Sequence, residues 1–149
     1  MSLPLFVYGT LRDPDLITAV LGRALRPGRV HAARAPGLCA VHYPGRVYPA
    51  LVRRPGAAAE GLVLTDITAF ERDLLDAFEG EEYRRGPVPV MIAEELHEAD
   101  AYLPSISVPR EAPDWDLGQW QQAHKAAVLA ADAATAADLR ARLIAVRPN

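Results

Sequence analysis

Two short segments hold residues whose types and spacing suit chemistry that needs neither metal nor cofactor. The first is Tyr8-Gly9-Thr10-Leu11. It is neither a Walker loop nor a dinucleotide fingerprint, but a glycine turn beside a helix start offers consecutive backbone N–H groups, which suit a carboxylate or a developing oxyanion. The second is Leu75-Asp76-Ala77-Phe78-Glu79-Gly80-Glu81-Glu82-Tyr83-Arg84-Arg85. Glu79 follows an aromatic residue and lies by the negative end of a helix, so burial and dipole both favour its protonated form. A carboxyl raised in this way is poised for general acid/base work near neutral pH. Each segment alone also has a plainer reading, a strand-to-helix turn for the first and a solvated acidic helix end for the second. For Glu81 and Glu82 the solvated reading is the one adopted.

Other chemistries find little support. His31, His42, His97 and His124 have no close partners at ligand spacing, and the single cysteine, Cys39, offers no thiolate cluster, so no metal set is expected. A Cys39–His42 nucleophile lacks a third group to organise it, and Cys39 reads as a small core residue.

The elements that must position the two segments follow from periodicity. Leu3 to Tyr8 is short, apolar and aromatic and stops at Gly9-Thr10, which predicts a buried strand running into a turn. Asp13 then caps a helix with Pro14 at its first position, Leu16, Ile17, Val20 and Leu21 on its apolar face, and Gly22 at its end. Short segments around Val30–Ala35, Leu38–Tyr43 and Val47–Val52, broken by Pro36-Gly37 and Pro44-Gly45, predict antiparallel strands. After Pro55-Gly56 comes a further strand, Gly61–Thr65. Thr68 and Glu71 then have capping-box spacing, Phe70, Leu74, Leu75 and Phe78 recur at helical spacing, and Gly80 stands where a C-terminal cap belongs. Glu79 thus falls at the helix exit. Val88–Ala93 and Ala99–Leu103 are two more strands, with Pro87 and Pro89 marking an irregular start or an edge.

From Asp114 the chain turns to alanine-rich helix, with Trp115, Trp120, Val128, Leu129, Leu139, Leu143 and Ile144 as core contacts and a second helix restarting at Thr135 and Asp138. Strands in the first two thirds and helix at the end predict an α+β class with a largely antiparallel sheet, curled into a small barrel.

Composition bounds the whole. The chain of 149 residues is half hydrophobic and 23% charged, with a net charge of -3, and reads as one ordered domain, residues 1–149. That charge gathers neither nucleic acid nor an anionic membrane. No stretch approaches the roughly 20 apolar residues that span a bilayer, and Met1-Ser2-Leu3-Pro4 does not begin a secretory signal. With one cysteine, a reducing cytoplasmic setting is expected. Nothing in the sequence speaks to oligomeric state.

Phe6-Val7-Tyr8-Gly9-Thr10-Leu11-Arg12, Tyr48-Pro49-Ala50, Leu75-Asp76-Ala77-Phe78-Glu79-Gly80 with Tyr83 and Arg85 following, and Ala101-Tyr102 together resemble the gamma-glutamylcyclotransferase-like family, in its compact plant and bacterial branch. The resemblance covers residues 3–103, and a Trp-bearing helical segment over about 114–146 is compatible with it. It implies a BtrG-like fold, a small mixed barrel with packed helices. It also implies a cofactor-independent reaction, of acyltransferase or lyase type, in which the α-amine of a γ-glutamyl group attacks its own γ-carbonyl and leaves 5-oxoproline. Carried over residue by residue, Glu79 matches the catalytic glutamate and Tyr8, Gly9, Thr10 and Leu11 the substrate-binding loop. Tyr83, Arg85 and Tyr102 match positions near the pocket, with either Arg84 or Arg85 turned inward. The partner implied is a small γ-glutamyl amine, peptide or related metabolite. The alternative is a non-catalytic binding or interaction module that retains the pocket. The presence of both motifs favours the enzyme.

Overall fold

The computed structural model describes residues 2–146. Five strands, β1 (Leu5–Val7), β2 (Val30–His42), β3 (Pro49–Leu64), β4 (Tyr83–Ile92) and β5 (Glu95–Pro104), form a closed barrel in the order β1-β3-β2-β4-β5, and four α-helices pack on its outside. All neighbours are antiparallel except where β5 (Glu95–Pro104) closes onto β1 (Leu5–Val7) in parallel at Leu5 and Asp100. The α+β, mostly antiparallel barrel expected from the sequence is therefore the fold observed.

Strand alternation divides β1 between two cores. Phe6, followed by Tyr8, points into the barrel with Leu51, Val63, Val88, Val90 and Ala101. Leu5 and Val7 point outward to the helices, where Leu16, Ile17, Leu75, Trp115 and Trp120 meet them. The end of β1 thus lies where barrel interior and helix layer touch.

The dipeptides Pro36-Gly37 and Pro55-Gly56 do not end strands as the sequence suggested. They lie inside two long strands, β2 (Val30–His42) and β3 (Pro49–Leu64), which pair from Val30 with Leu64 to His42 with Pro49. The register shifts between Pro36 and Leu38, and Gly37 and Gly56 there take φ of 76° and 86°. The ladder resumes beyond this irregularity because both flanks have partners, and the local bend helps a wide strand pair curl. Pro44-Gly45 does form the connecting turn, as expected. β4 (Tyr83–Ile92) pairs with β5 along its whole length but meets β2 only at Ile92 and Met91, so Pro87 and Pro89 sit on what is mostly an open edge.

Helix ends follow the sequence closely. Asp13 caps α1 (Pro14–Leu21) by accepting from the Leu16 N–H at 3.0 Å. Thr68 and Glu71 form the reciprocal capping box of α2 (Ala69–Glu79). Beyond α3 (Leu117–Ala123), α4 (Lys125–Val146) runs unbroken through Thr135, contrary to the expected restart. The helical break falls at His124, whose φ of -129° interrupts the path. Ile144, expected in the core, is 61% exposed, because α4 extends past the elements that could cover it.

Two clamps fix α4 against α1. Lys125 Nζ contacts Asp13 at 2.9 Å and Asp15 at 2.7 Å, and Arg140 donates to the Ala19 and Val20 carbonyls at the C-terminal end of α1, at 3.2 and 2.8 Å. Between them Ala136 is fully buried.

Candidate active site

Three connections converge at the shared edge of the two cores. β1 delivers Tyr8 and then a 3-10 turn, Thr10–Arg12, whose first residues have no acceptor within the turn for their N–H groups. α2 delivers Glu79 as its last residue. Gly80, with φ of 65°, then turns the chain through a 3-10 turn into β4, which brings Glu82 and Tyr83 to the same place. α4 adds Asp132 and Thr135 from the side. Together with Tyr48, Pro49, Phe78 and Tyr102 these residues line a cavity of about 200 Å³.

Glu79 is half-buried and keeps some surface open to the cavity, while the protein around it desolvates its carboxyl. That desolvation, reinforced by the like charges of Asp132, Glu82 and Asp76, pushes its pKa up to about 8. The mechanism differs in part from the sequence argument: burial is the main cause as expected, but neighbouring carboxylates add to it and Arg85 does not oppose it. Burial likewise pushes the phenols of Tyr83 and Tyr102 well above their ordinary range. They remain protonated donors.

Hydrogen bonds hold the frame. The Tyr8 hydroxyl donates to the Tyr102 carbonyl, and the Tyr83 hydroxyl donates to the Pro49 carbonyl at 2.5 Å. Tyr43, Tyr48 and Tyr83 form an edge-on cluster with ring centroids 5.5 to 6.0 Å apart. Tyr48 donates to a Glu82 carboxylate oxygen, and Arg46 contacts that carboxylate at 3.2 Å. Burial first, and then this acceptor, push the Tyr48 pKa to about 12. Gly9 is required by contact rather than by dihedral: its φ is -121°, but a Cβ there would stand 2.7 Å from Pro49 Cγ.

The structure brings Tyr8, Gly9, Thr10, Leu11, Glu79, Tyr83 and Tyr102 to one cavity. Arg85 does not join them. Its guanidinium grips Asp76 at 3.0 and 3.2 Å and reaches Asp100 at 3.3 Å, beyond the Tyr83–Tyr102 wall, and Arg84 shares that outer depression. Neither arginine lines the cavity, and α2 offers Arg85 a carboxylate, that of Asp76, on the outside. Asp76 also accepts from the Tyr102 hydroxyl at 2.7 Å, so Arg85 touches the site through Asp76.

Glu82, read from sequence as solvated, lines the cavity instead, because the 3-10 turn rotates it inward while Glu81 stays exposed. Asp132 and Thr135 carried no sequence signal beyond their place in a helix. Cys39 lies beside Arg54 and Asp114, away from the cavity, and makes no contact with His42. Among the described residues no three His, Cys, Asp or Glu side chains cluster as a metal site, and no helix is long and apolar enough to cross a membrane.

The model of the family described as gamma-glutamyl cyclotransferase, AIG2-like, matches residues 5–122. AIG2-like protein A of Arabidopsis thaliana is 33% identical over 124 residues, 80% of this chain and 73% of its own. The solution structure of another Arabidopsis thaliana protein superposes with a TM-score of 0.65 at 30% identity, covering 87% of each chain. A solved gamma-glutamyl cyclotransferase shares the fold, with a TM-score of 0.56 at 17% identity, over 100% of this chain and 90% of its own. The protein belongs to the gamma-glutamyl cyclotransferase, AIG2-like family.

Proposed function

We propose that the protein is a cyclotransferase that releases 5-oxoproline from a γ-glutamyl amine, peptide or related γ-glutamylated metabolite, with Glu79 as general base and then general acid. The observation that carries this reading is a carboxyl with no basic partner, lining a cavity that Gly9, Thr10 and Leu11 also line. A pKa of about 8 suits the task. It lies far nearer the range of an α-ammonium than an ordinary glutamate does, which lessens the uphill cost of proton transfer between the two.

The steps follow from the side chains present. The substrate's α-ammonium, on entering beside Glu79, favours the carboxylate, which then takes the ammonium's proton. The freed α-amine nitrogen attacks the γ-carbonyl carbon and closes a five-membered lactam. N–H groups at the start of the Thr10–Arg12 turn meet the oxyanion, where losing one such donor typically costs about 10²–10³ in rate. The bond from the γ-carbon to the departing nitrogen breaks as Glu79 returns the proton to that nitrogen. The ring nitrogen gives up its second proton to the released amine, which departs as an ammonium while Glu79 is left ionised as it began. Tyr8, Tyr83 and Tyr102 wall the cavity and hold the glutamyl moiety folded, and well-oriented intramolecular groups reach effective molarities of about 10⁵–10⁸ M. Chromatographic detection of 5-oxoproline from a panel of γ-glutamyl compounds tests the reading. Release from at least one member, abolished in Glu79→Gln, is the expected result.

A further inference from the structure

The residues lining the cavity include Glu79, Glu82 and Asp132 and no arginine, lysine or histidine. Two of the three carboxyls have evident work. Glu79 is the proposed proton carrier, and Glu82 is held by Tyr48 and Arg46. Asp132 has neither. Along its own helix, the positions three and four residues away are Val128, Leu129, Thr135 and Ala136, none of them a cation. The basic residues of α4 are engaged elsewhere: Lys125 with Asp13 and Asp15, Arg140 with the end of α1, and Arg142 with Asp138 at 2.8 Å. Asp132 is half-buried, and it sits midway between two clamps that are about 22 Å apart along the helix. A partly desolvated carboxylate without a partner is a cost to the fold. Here the clamps hold it at a fixed place on the cavity wall.

We propose that Asp132 reads the leaving group: the site prefers γ-glutamyl conjugates of an amine that carries a second, distal ammonium, and disfavours leaving groups that carry a carboxylate. The inference rests on the cyclotransferase reading of this site and adds the substrate class to it. The γ-glutamyl moiety is common to all substrates, so its α-carboxylate does not discriminate among them. Discrimination falls on what extends from the γ-nitrogen toward α4. A distal ammonium meets Asp132 there, and a carboxylate meets like charge. The distal ammonium takes no part in bond making: the lactam forms, and the cleaved nitrogen departs as an ammonium carrying the two protons that the α-nitrogen gives up.

Three probes of matched reach separate the outcomes: the γ-glutamyl conjugates of 1,4-diaminobutane, of butylamine and of 4-aminobutanoate. The expected order of kcat/KM is diamine over butylamine by about 10-fold or more, with the 4-aminobutanoate conjugate lowest, and a preference that shrinks as salt screens the charge. In Asp132→Asn the diamine-to-butylamine ratio collapses toward one, a change that a merely structural defect, lowering both rates together, does not produce. If the variant fails to fold by circular dichroism, the parent's ratio and its decline toward about 0.5 M salt still decide the matter. Equal rates on diamine and butylamine, or a ratio that persists in the folded variant, overturn the inference and leave the cyclotransferase reading standing. Release of 5-oxoproline from none of the three overturns the cyclotransferase reading itself, and the inference falls with it.

Discussion

Asp76 and Glu79 stand three residues apart on α2, within one helical turn, and the fold treats them in opposite ways. Asp76 is gripped by the Arg85 fork and accepts from the Tyr102 hydroxyl, with its side chain 41% exposed. Glu79 has no cation within the cavity, a carboxyl desolvated by the protein around it and three carboxylates nearby. One carboxylate is neutralised and used as a brace, while the other is left able to change its protonation state. The lesson is that residue type and helix position do not make a catalytic carboxyl. Withholding a partner does.

The largest expected effect breaks the pair at Glu79. Glu79→Gln keeps the side chain's size and removes its proton exchange, so 5-oxoproline release falls at least about 10²-fold with the circular dichroism spectrum unchanged. The same substitution should alter stability with a definite sign. Because the folded pKa is raised to about 8, the folded chain holds a proton that the unfolded chain releases near 4.5, and the parent loses stability as pH rises between those values. The glutamine variant does not lose it. Its advantage in urea unfolding grows by at most about 1.4 kcal/mol per pH unit over that window and levels off above pH 8. An advantage that does not change with pH contradicts the raised value. In the parent, kcat/KM rises with pH through the same pKa, since the base must be ionised to accept a proton.

Gly9→Val sharpens the comparison from the other wall of the cavity. Its Cβ stands against Pro49 Cγ at 2.7 Å, so either the loop or the first residues of β3 must move. Because misplacement by about 1 Å can cost 10²-fold, a large loss of 5-oxoproline affinity by calorimetry is expected in a variant that still folds. Unchanged affinity would place the ligand away from this loop.

Much of this site was readable in the sequence because local signals fix it. The capping box at Thr68 and Glu71, the apolar spacing to Phe78 and the glycine at position 80 together place Glu79 at the α2 exit, and the end of β1 places the Tyr8–Leu11 turn. What escaped depends on packing between distant segments. Glu82 faces inward only because a 3-10 turn follows Gly80, and Tyr48 reaches it across 34 residues of chain. Asp132 enters the cavity because Lys125 and Arg140 clamp α4 to α1, more than 100 residues away in sequence. Pro36-Gly37 and Pro55-Gly56 misled for the same reason: a turn dipeptide ends a strand only when no partner strand continues beyond it, and here one does.

Glu82→Gln carries a moderate effect and a clear signature. Removing its charge takes one of the like charges away from Glu79, so the acid limb of kcat/KM moves to lower pH. It also weakens the anchoring of Tyr48, which raises KM severalfold by loosening the cavity wall. Glu81→Gln, at an exposed position one residue away, should change neither. A limb that stays in place in Glu82→Gln would show that this carboxylate does not act on Glu79.

The smallest effect is expected at Arg85, where it decides the most about the comparison. If Arg85 binds substrate, Arg85→Ala removes a charge-assisted contact and raises KM by one to two orders of magnitude, as about 1.5–3 kcal/mol for a hydrogen bond to a charged group implies. The geometry predicts otherwise, because the guanidinium lies beyond Tyr83 and Tyr102 and its acceptors are Asp76 and Asp100. Its loss frees Asp76 but leaves the Tyr102 hydroxyl still donating to that carboxylate at 2.7 Å. Ion pairs open to solvent contribute about 0.2–1 kcal/mol, so the melting temperature should fall by a few degrees at most. Kinetic parameters should move less than about threefold, through small shifts of Tyr102 alone. Asp76→Asn, which keeps an acceptor for Tyr102 while discharging the brace, should match Arg85→Ala in melting temperature and KM, but its acid limb should move to lower pH because a like charge beside Glu79 is gone. A KM for Arg85→Ala raised tenfold or more, with Asp76→Asn near the parent, would turn the arginine inward after all and make Asp76 its holder in the empty site.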